Sequence, residues 1–448
     1  MLYFFPGCLL ILSLAACSLK PVSETQPPPV LSSTRVVATS IAADDLPAYD
    51  FTRIDAIVEE AIREMATPGA VVMVLKDGQT IFFRAYGHHT YAGDVPTKTS
   101  DIFDVASLTK IFATTLAAMR LVDEVKLDLD GTVGAYLGEL KRSHPDKAAI
   151  VVRDLLTHQA GLVPFIPFYR QLKEGDVSTE PSVHYPVQVA DRFYLRRNYY
   201  EDVMWPQMLN SPLKPRGQYI YSDIGMYLLQ EILQRITGQP LDVYVNEQFY
   251  QPLGTRSTSF RPLERFAGER IVPTEEDGYF RKQLLRGYVQ DPGAAMAGGV
   301  AGHAGLFTSA DDLALLSRML LNGGSQNGRQ FIKPETVKLF ASRQFDGSRR
   351  GLGFDCWDPG SIEGYPCALA SPATFGHTGY TGTSVWIDPE YQVVYIFLSN
   401  RLYPSQDKGK LQKLKIRPRI QDAIYEAMGV RPRPATAAEP ATSALLPE

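Results

Sequence analysis

Apolar residues recur every three or four positions between Phe51 and Met65, which is the spacing of one buried helix face. Pro68-Gly69 follows and predicts the end of that helix. Two apolar runs come next, at 70–75 and 80–86, and Asp77-Gly78 lies between them. This dipeptide favours the tight turn of a β-hairpin. The first part of the chain therefore predicts a helix followed by a two-stranded hairpin.

Clear strand patterns return only near the other end of the chain, at 382–387 and 393–398. An amphipathic helix is predicted near 418–428. The intervening segment, about 101–330, alternates helical patterns with loops rich in Pro and Gly. These patterns predict the α/β (α+β) class, with one antiparallel sheet that is built from both chain ends and flanked by helices. A mainly helical domain is inserted between the two ends.

The expected domain boundaries follow from composition. Residues 18–47 are rich in Pro, Ser, Thr and Ala and predict a flexible tether, and the Pro/Ala-rich residues 431–448 predict a disordered tail. Between them we expect one folded domain at 48–430. Its α/β part covers 48–100 and 331–430, and its helical part covers 101–330.

The first seventeen residues form an apolar stretch that ends in Leu14-Ala15-Ala16-Cys17. The stretch is shorter than a membrane-spanning helix needs, and small residues before the cysteine indicate a cleavage site. The segment resembles a bacterial lipoprotein signal peptide, in which Cys17 is lipid-modified and becomes the new N-terminus. No Lys or Arg precedes the apolar run, so an ordinary secretion signal with a chance cysteine is the alternative. The lipoprotein interpretation predicts a periplasmic protein attached to a bacterial membrane by its lipid.

Charge and cysteine content narrow the classes of partner. The chain of 448 residues has a formal net charge of −4 at pH 7, and its basic residues do not cluster strongly, which argues against a nucleic-acid partner.

The sequence contains no Cys-x-x-Cys motif and no cluster of His residues at the spacing of a metal site, so no metal site is predicted. After removal of the signal, Cys356 and Cys367 remain as an even pair that could form a disulfide in an oxidising periplasm. Oligomeric state is not predicted.

The segment D-V-A-S-L-T-K-I-F-A at 104–113 places Ser107 and Lys110 at the start of an apolar, helix-like run. Residues three apart share a helix face, so the Lys110 amine can reach the Ser107 hydroxyl. The unpaired N–H groups of a first turn can stabilise an oxyanion, and a lysine among apolar neighbours is expected to have a lowered pKa and act as a base. Ser-x-x-Lys also occurs at Ser211 and Ser405, in contexts that do not open an apolar helix. The alternative is an N-cap serine followed by a surface lysine.

Two further motifs favour the catalytic interpretation. Tyr221-Ser222-Asp223 lies between a Pro/Gly loop and a helical run, and His377-Thr378-Gly379 directly precedes a strand. With Ser107 and Lys110, these motifs resemble the three active-site elements of the serine β-lactamase and penicillin-binding protein superfamily. Tyrosine in the second element is typical of class C β-lactamases, low-molecular-mass DD-peptidases and related esterases. The resemblance covers about 50–428, and it is closest to the YfeW-type D-alanyl-D-alanine carboxypeptidases.

The resemblance implies a role for each matching residue. Ser107 would attack a carbonyl carbon and become acylated, while Lys110 and Tyr221 share the proton transfers. The backbone N–H groups of Ser107 and Tyr380 would form the oxyanion hole. The remaining motif residues would bind substrate: Asp223, His377, Thr378 and Gly379. No metal or organic cofactor is implied.

Two of these positions depart from the family pattern. The family usually has Asn at the position of Asp223 and Lys at the position of His377, and both residues help to bind β-lactams. Efficient β-lactamase activity is therefore not expected. His377 should change its charge near neutral pH, and a nearby Asp223 would raise the pKa of its imidazole.

Four other residues have competing interpretations. Tyr244-Val-Asn246 matches Tyr-x-Asn more literally than the segment at Tyr221, but Tyr244 lies in a helical apolar stripe and is expected to pack in the core. His303 could line the cleft or make a structural hydrogen bond. His158 is expected to be structural, and Phe165 could form part of the substrate wall or pack as an ordinary buried aromatic residue.

The sequence therefore predicts a serine hydrolase that works through an acyl-enzyme. The expected acyl donor is a cell-wall peptide of the D-alanyl-D-alanine type, as in carboxypeptidases and penicillin-binding proteins. A carboxylesterase or a weak class C-like β-lactamase on the same fold is the first alternative. A non-catalytic cell-envelope binding lipoprotein is the alternative of another class.

Overall fold

The structure is a computed structural model that describes residues 49–358, 360–361, 364–405 and 409–432. The expected signal peptide with Cys17, the tether at 18–47 and nearly all of the tail at 431–448 lie outside the described residues. No helix in the described ranges is both long enough and apolar enough to cross a membrane.

Helices surround the sheet and fill the middle of the chain. The α-helices are α1 Thr52–Arg63, α2 Leu116–Asp123, α3 Val133–Tyr136, α4 Leu140–Ser143, α5 Pro145–Ala148, α6 Val152–Leu156, α7 Trp205–Asn210, α8 Asp223–Thr237, α9 Leu241–Val245, α10 Gln251–Leu253, α11 Pro292–Met296, α12 Ala310–Leu321, α13 Pro334–Ala341, α14 Lys410–Lys413 and α15 Ile416–Ala427. In the part of the chain that the structure describes, π-helical segments interrupt this pattern at Lys110–Thr115, Tyr200–Met204 and Asn246–Tyr250. Short 3₁₀ segments lie at Phe168–Gln171, Pro262–Glu264 and Gly268–Arg270.

Within the described residues, the strands form one large sheet and four small ones. They are β1 Gly69–Lys76, β2 Gln79–Gly87, β3 Phe103–Asp104, β4 Val177–Ser178, β5 Val187–Ala190, β6 Phe193–Leu195, β7 Ser259–Phe260, β8 Glu275–Asp277, β9 Gln283–Leu285, β10 Leu306–Thr308, β11 Ser325–Gln326, β12 Arg329–Gln330, β13 Asp355–Cys356, β14 Phe375–Thr378, β15 Ser384–Asp388 and β16 Val393–Ser399. The large sheet has the order β13-β14-β15-β16-β1-β2 and every pair in it is antiparallel. The predicted class is confirmed, because β1 from one chain end pairs with β16 from the other.

The predicted hairpin forms between β1 and β2. Asp77 and Gly78 have φ values of 51° and 75°, and two successive positive φ angles define the turn whose twist matches that of the paired strands. Glycine adopts this conformation without strain, and aspartate tolerates it better than most residues do. The local sequence is therefore sufficient to position this pair of strands.

Both faces of the large sheet are buried. Side chains alternate along a strand, so β1 directs Val71, Met73 and Leu75 toward the helical region and Ala70, Val72 and Val74 toward α1 and α15. The first face packs against α12 and the helices of the inserted region, which also carry the cleft described below. Every apolar residue of β1 is thus used in one core or the other.

The predicted disulfide between Cys356 and Cys367 is wrong, because both are buried free thiols. Cys356 packs in the core on the helical-region side of the sheet and donates its thiol to the carbonyl of Ala341 at 3.1 Å. Cys367 packs in the core beneath α1 and α15. The sheet separates the two sulfur atoms. Burial raises the pKa of both thiols, and the pKa of Cys356 reaches about 12.

Both thiols should therefore resist alkylation in the native protein and react after unfolding. The reason is that neither sulfur is accessible and neither is ionised at neutral pH. Mass mapping after iodoacetamide treatment with and without denaturant, under non-reducing conditions, checks this expectation. A 356–367 cross-linked peptide would contradict it.

Candidate active site

The turn before Ser107 is held in a strained conformation by Asp104. The backbone of Ala106 has a φ of +46°, a region that residues with a side chain seldom adopt. Asp104, at the end of β3, accepts hydrogen bonds from the N–H of Ala106 at 2.9 Å and from the N–H of Gln290 at 2.7 Å. Burial raises the pKa of Asp104 to about 6, although these two N–H groups favour its ionised form. The result is a sharp strand-to-helix turn that presents Ser107 to the cleft.

Lys110 lies one helical turn beyond Ser107 and is fully buried. Its Nζ lies 2.9 Å from Oγ of Ser107, 2.8 Å from Oδ1 of Asp223 and 3.3 Å from the carbonyl oxygen of His303. Burial lowers the pKa of Lys110, but its interactions with the Asp223 carboxylate and with Tyr221 outweigh it and the net shift is upward. The expectation of a lowered pKa is therefore wrong, because the carboxylate of Asp223 replaces the apolar surroundings that the sequence suggested.

Tyr221 completes the contacts of the Ser107 hydroxyl. Its Oη donates to Oγ of Ser107 at 3.1 Å. Ser222 is the N-cap of α8, with its Oγ accepting from the N–H of Gly225, so Tyr221 lies just before a helix start. The ring of His158 packs on the Tyr221 ring with centroids 4.4 Å apart. His158 also accepts a hydrogen bond from the N–H of Ser222, which agrees with its structural interpretation.

The loop after β14 lies against the turn that carries Ser107. Thr381 donates to the carbonyl of Asp104 at 2.7 Å, and Thr383 donates to the carbonyl of Val105 at 3.2 Å. A Cβ at Gly379 would stand 2.5 Å from that same Val105 oxygen, so only glycine permits the approach. Tyr380 follows directly and lines the cleft together with Ser107. The two residues predicted to form the oxyanion hole thus border one space, while Thr378 stands at the end of β14.

His377 does not face substrate as a titrating cation. It is buried, its Nδ1 donates to the carbonyl of Thr378 at 2.7 Å, and its Nε2 accepts from Nη1 of Arg350 at 3.1 Å. Burial and the charge of Arg350 lower the pKa of the imidazole to about 3. The prediction of a charge change near neutral pH is wrong, because Asp223 pairs with Lys110 while a fixed cation stands beside His377.

Arg350 is a residue that the sequence reasoning missed. The residue is 2% exposed, and its guanidinium pairs with Asp355 at 3.1 Å and donates to Oη of Tyr219 at 2.9 Å. It also lies 5.2 Å from the centre of the Tyr221 ring. Arg350, which contacts His377, therefore supplies the permanent positive charge that the family's lysine carries. A loop arginine beside another arginine gives no pattern by which it could have been found.

A second missed group is the pair of Asp291 and His303. Asp291 caps α11 by accepting from the N–H of Ala294 at 2.7 Å, and Nε2 of His303 lies 2.9 Å from the same oxygen. Burial raises the pKa of Asp291, but the adjacent His303 imidazole with its hydrogen bond, the Ala294 N–H and Lys110 together lower it to about 2. The ionised carboxylate can only accept, so Nε2 of His303 carries the proton. His303 thus lines the cleft and also makes a structural hydrogen bond, so both interpretations of this residue hold.

The cleft has a volume of about 590 Å³, the size of a small-molecule or peptide site. Ser107, Tyr221, Asp223, Asp291, His303 and Tyr380 are among its lining residues. Phe165 also lines it and is 65% exposed, which fits the substrate-wall interpretation. Tyr244 packs in the hydrophobic core, as predicted. Ligand atoms of Asp223, Asp291 and His303 lie within 4.8 Å of one another and form the one group among the described residues able to hold a metal ion.

Comparison with known proteins agrees with this geometry. The sequence model of the Beta-lactamase family matches residues 54–416. The N-acetylmuramyl-L-alanine amidase of Bacillus subtilis (strain 168) is 33% identical over 410 residues, which cover 84% of this chain and 88% of that protein. A protein of Escherichia coli (strain K12) named "Putative D-alanyl-D-alanine carboxypeptidase" is 33% identical over 361 residues, or 75% of this chain and 79% of that one.

Solved structures share the fold at lower identity. The octameric penicillin-binding protein homologue from Pyrococcus abyssi has a TM-score of 0.60 and 20% identity, covering 86% of this chain and 78% of its own. The D-amino acid amidase from Ochrobactrum anthropi SV3 has a TM-score of 0.60 and 17% identity, covering 84% of this chain and 99% of its own. Because the family match spans most of the chain, and the three motifs that resemble its active-site elements lie next to one another around Ser107, the protein belongs to the β-lactamase family of serine hydrolases.

Proposed function

We propose that this protein cleaves an amide bond in cell-wall peptides through an acyl-enzyme on Ser107. The observation that carries the proposal is the pair of contacts at Oγ of Ser107, to Nζ of Lys110 at 2.9 Å and to Oη of Tyr221 at 3.1 Å. A hydroxyl between an amine and a phenol has partners for both removal and delivery of a proton.

The proposed chemistry runs in two halves. Oγ attacks the substrate carbonyl carbon as the Lys110 amine, in its neutral form, takes the hydroxyl proton. The N–H groups of Ser107 and Tyr380 stabilise the oxyanion, and Tyr221 delivers a proton to the departing amine. Water then attacks the ester carbonyl carbon and gives a proton to the pair of Lys110 and Tyr221. The same pair returns a proton to Oγ as the bond between the acyl carbon and Oγ breaks, which releases the acid and restores Ser107.

Two cell-wall amides are candidate substrates. The relative from Escherichia coli favours the peptide bond between two D-alanine residues, and the relative from Bacillus subtilis favours the bond between muramic acid and L-alanine. Both cleavages transfer an acyl group from nitrogen to oxygen, so the same catalytic groups serve either one. The carboxypeptidase reaction is our primary proposal, since the motif resemblance points to it independently.

Incubation with one muramyl pentapeptide that ends in D-Ala-D-Ala separates these candidates. Loss of one D-alanine indicates the carboxypeptidase, and release of the intact pentapeptide indicates the amidase. Mass spectrometry of the Ser107 peptide should show the corresponding acyl group. Failure to acylate with this substrate, together with acylation by p-nitrophenyl esters or benzylpenicillin, would favour the esterase or β-lactamase alternative. Binding of the peptide without acylation by any donor would favour the non-catalytic lipoprotein.

Replacing Asp223 by Asn should shift the pH dependence of kcat/KM, so that the rise in kcat/KM with increasing pH occurs at lower pH. The Asp223 charge raises the pKa of Lys110, so its removal increases the fraction of neutral Lys110 amine at any given pH. Acylation of Ser107 by a neutral ester, measured from pH 6 to 10, checks the shift. Asp311→Asn removes an exposed carboxylate on α12 and serves as the matched control. If the pH dependence of acylation is the same in Asp223→Asn protein as in the wild type, deprotonation of Lys110 does not govern the rate.

We also propose attachment to a bacterial membrane on the periplasmic side through a lipid on Cys17. The sequence Leu14-Ala15-Ala16-Cys17 supports this proposal, as does the composition of the segment between it and the folded domain. Cys17→Ala should abolish globomycin-sensitive processing and move the protein from the membrane fraction. Wild-type protein recovered entirely in the soluble periplasmic fraction would instead support an ordinary secretion signal.

A further inference from the structure

Two carboxylates, those of Asp291 and Asp223, face the cleft beside the nucleophile, and each has an oxygen that can accept a hydrogen bond from a ligand. In Asp291, Oδ1 accepts from Ala294 and His303, while Oδ2 has no partner among the described residues. In Asp223, Oδ1 pairs with Lys110. The side chains of Asp291 and Asp223 are 33% and 24% exposed, so both can be reached from the cleft.

A third polar group points to the same space. Tyr227 is 2% exposed, lines the cleft, and its hydroxyl has no hydrogen-bond partner in the part of the chain that the structure describes. A Cβ at position 293 would stand 2.9 Å from that hydroxyl and 3.3 Å from Oδ1 of Asp291. Glycine at this position therefore keeps open the space between the hydroxyl and the carboxylate. A buried hydroxyl without a partner is costly in a folded protein, and a ligand that hydrogen-bonds to it removes that cost.

We propose that Asp291, Asp223 and the Tyr227 hydroxyl form a binding site for a primary ammonium group of the substrate. The ligand atoms of the two carboxylates lie within 4.8 Å of each other. One nitrogen can therefore hydrogen-bond to both at the usual distance of about 2.8 Å. An ammonium has three donors, which equals the number of acceptors in this site.

A monovalent ammonium fits this position better than a divalent metal. Lys110 is buried 2.8 Å from Asp223, and its raised pKa favours the cationic form in the free enzyme. A dication on the same carboxylate would face about twice the repulsion from Lys110 that a monocation faces. The protonated Nε2 of His303 is also directed at Asp291 and cannot serve as a metal ligand while it carries that proton.

This site narrows the substrate class and rests on the proposed function. Ser107 and Asp223 both contact Nζ of Lys110, so the ammonium lies close to the reacting carbonyl. The group is thus an α-ammonium of the residue at the scissile bond or a side-chain ammonium of a neighbouring diamino acid. Peptides in which this nitrogen is acylated should be poorer substrates.

Two matched pairs of peptides test the proposal. The first is D-Ala-D-Ala and its N-acetyl form, and the second is Nα-acetyl-L-Lys-D-Ala-D-Ala and its Nα,Nε-diacetyl form. In the wild type, kcat/KM should favour the free amine in at least one pair by about tenfold or more, the effect of one charge-assisted hydrogen bond. Asp291→Asn should bring that ratio close to one, since Asn still caps α11 but carries no charge. Asp77→Asn, an equal charge change in the exposed hairpin turn, should retain the preference.

A binding measurement makes the test independent of turnover. Calorimetry with Ser107→Ala protein should show the same preference for the free amine, and Ser107→Ala/Asp291→Asn protein should lack it. Preference in binding without acylation of wild-type Ser107 would overturn the proposed function and leave the ammonium site standing. Acylation without preference in either pair, or a preference unchanged by Asp291→Asn, would overturn the site alone. Stoichiometric Zn²⁺ retained after dialysis by the wild type but not by Asp291→Asn would also overturn it.

Discussion

Ser107→Ala is expected to lower kcat/KM by about 10⁴-fold or more and to abolish labelling by a fluorophosphonate probe. Among the serines that the structure describes, only this one combines a lysine amine, a phenol and a position at the start of a helix within one cleft. Because the reaction forms a bond to Oγ, removing that atom removes the acyl-enzyme and not merely a favourable contact. Single-turnover kinetics and intact-protein mass spectrometry provide the measurement.

The other two Ser-x-x-Lys serines are natural controls. Ser211 is buried and donates its Oγ to the carbonyl of Met208, and Ser405 is an exposed loop residue. Neither lines the cleft. Ser211→Ala and Ser405→Ala should therefore retain full labelling. Labelling that survives in Ser107→Ala protein would mean that another residue is the nucleophile.

Arg350→Met is expected to reduce the free energy of unfolding by about 3 kcal/mol, because it leaves a buried carboxylate with one partner fewer. Arg350 pairs with Asp355, bonds Tyr219 and faces His377. The estimate is at the lower end of the range for a broken buried pair, since Arg349 also contacts Asp355, at 3.0 Å. Urea unfolding followed by fluorescence provides the measurement.

The same substitution should raise the pKa of His377, which a structural role alone would not require. In the wild type the imidazole has a pKa of about 3, against 6.5 in the unfolded chain. The unfolded chain therefore binds the extra proton, and stability falls as the pH falls from 6.5 toward 3. Histidine NMR should show no titration of His377 at neutral pH in the wild type. In Arg350→Met protein, the same measurement should show a higher pKa for His377. Arg349→Met is the matched control, because Arg350 remains beside the ring.

The elements set by neighbouring residues could be predicted from the sequence. The hairpin depends on Asp77-Gly78 and on alternating apolar residues, and α1 depends on its own apolar spacing. The contact between Ser107 and Lys110 likewise needs only three residues of helix. Such features involve atoms that are close in the chain, so local conformational preference decides them.

The electrostatics of the site could not be predicted in this way. Whether the pKa of Lys110 rises or falls depends on Asp223, which comes from another helix, and the state of His377 depends on Arg350. The two cysteines are eleven residues apart in sequence, yet the sheet lies between them, and spacing alone does not reveal on which face each sulfur lies. In each case the deciding neighbour is brought in by tertiary folding.

The pairing of β1 with β16 has a consequence for how this chain acquires its structure. Ala70 is opposite Ser399, so β1 waits during synthesis for a strand that follows more than 300 residues later in the chain. Until then β1 has β2 on one side and an unpaired edge on the other. Long-range pairing of this kind slows folding, and domains fold as units once their chain is complete. A ribosome-bound chain that stops before residue 393 should therefore remain sensitive to protease, and the nascent domain should stay in a loosely folded state until β16 has been made.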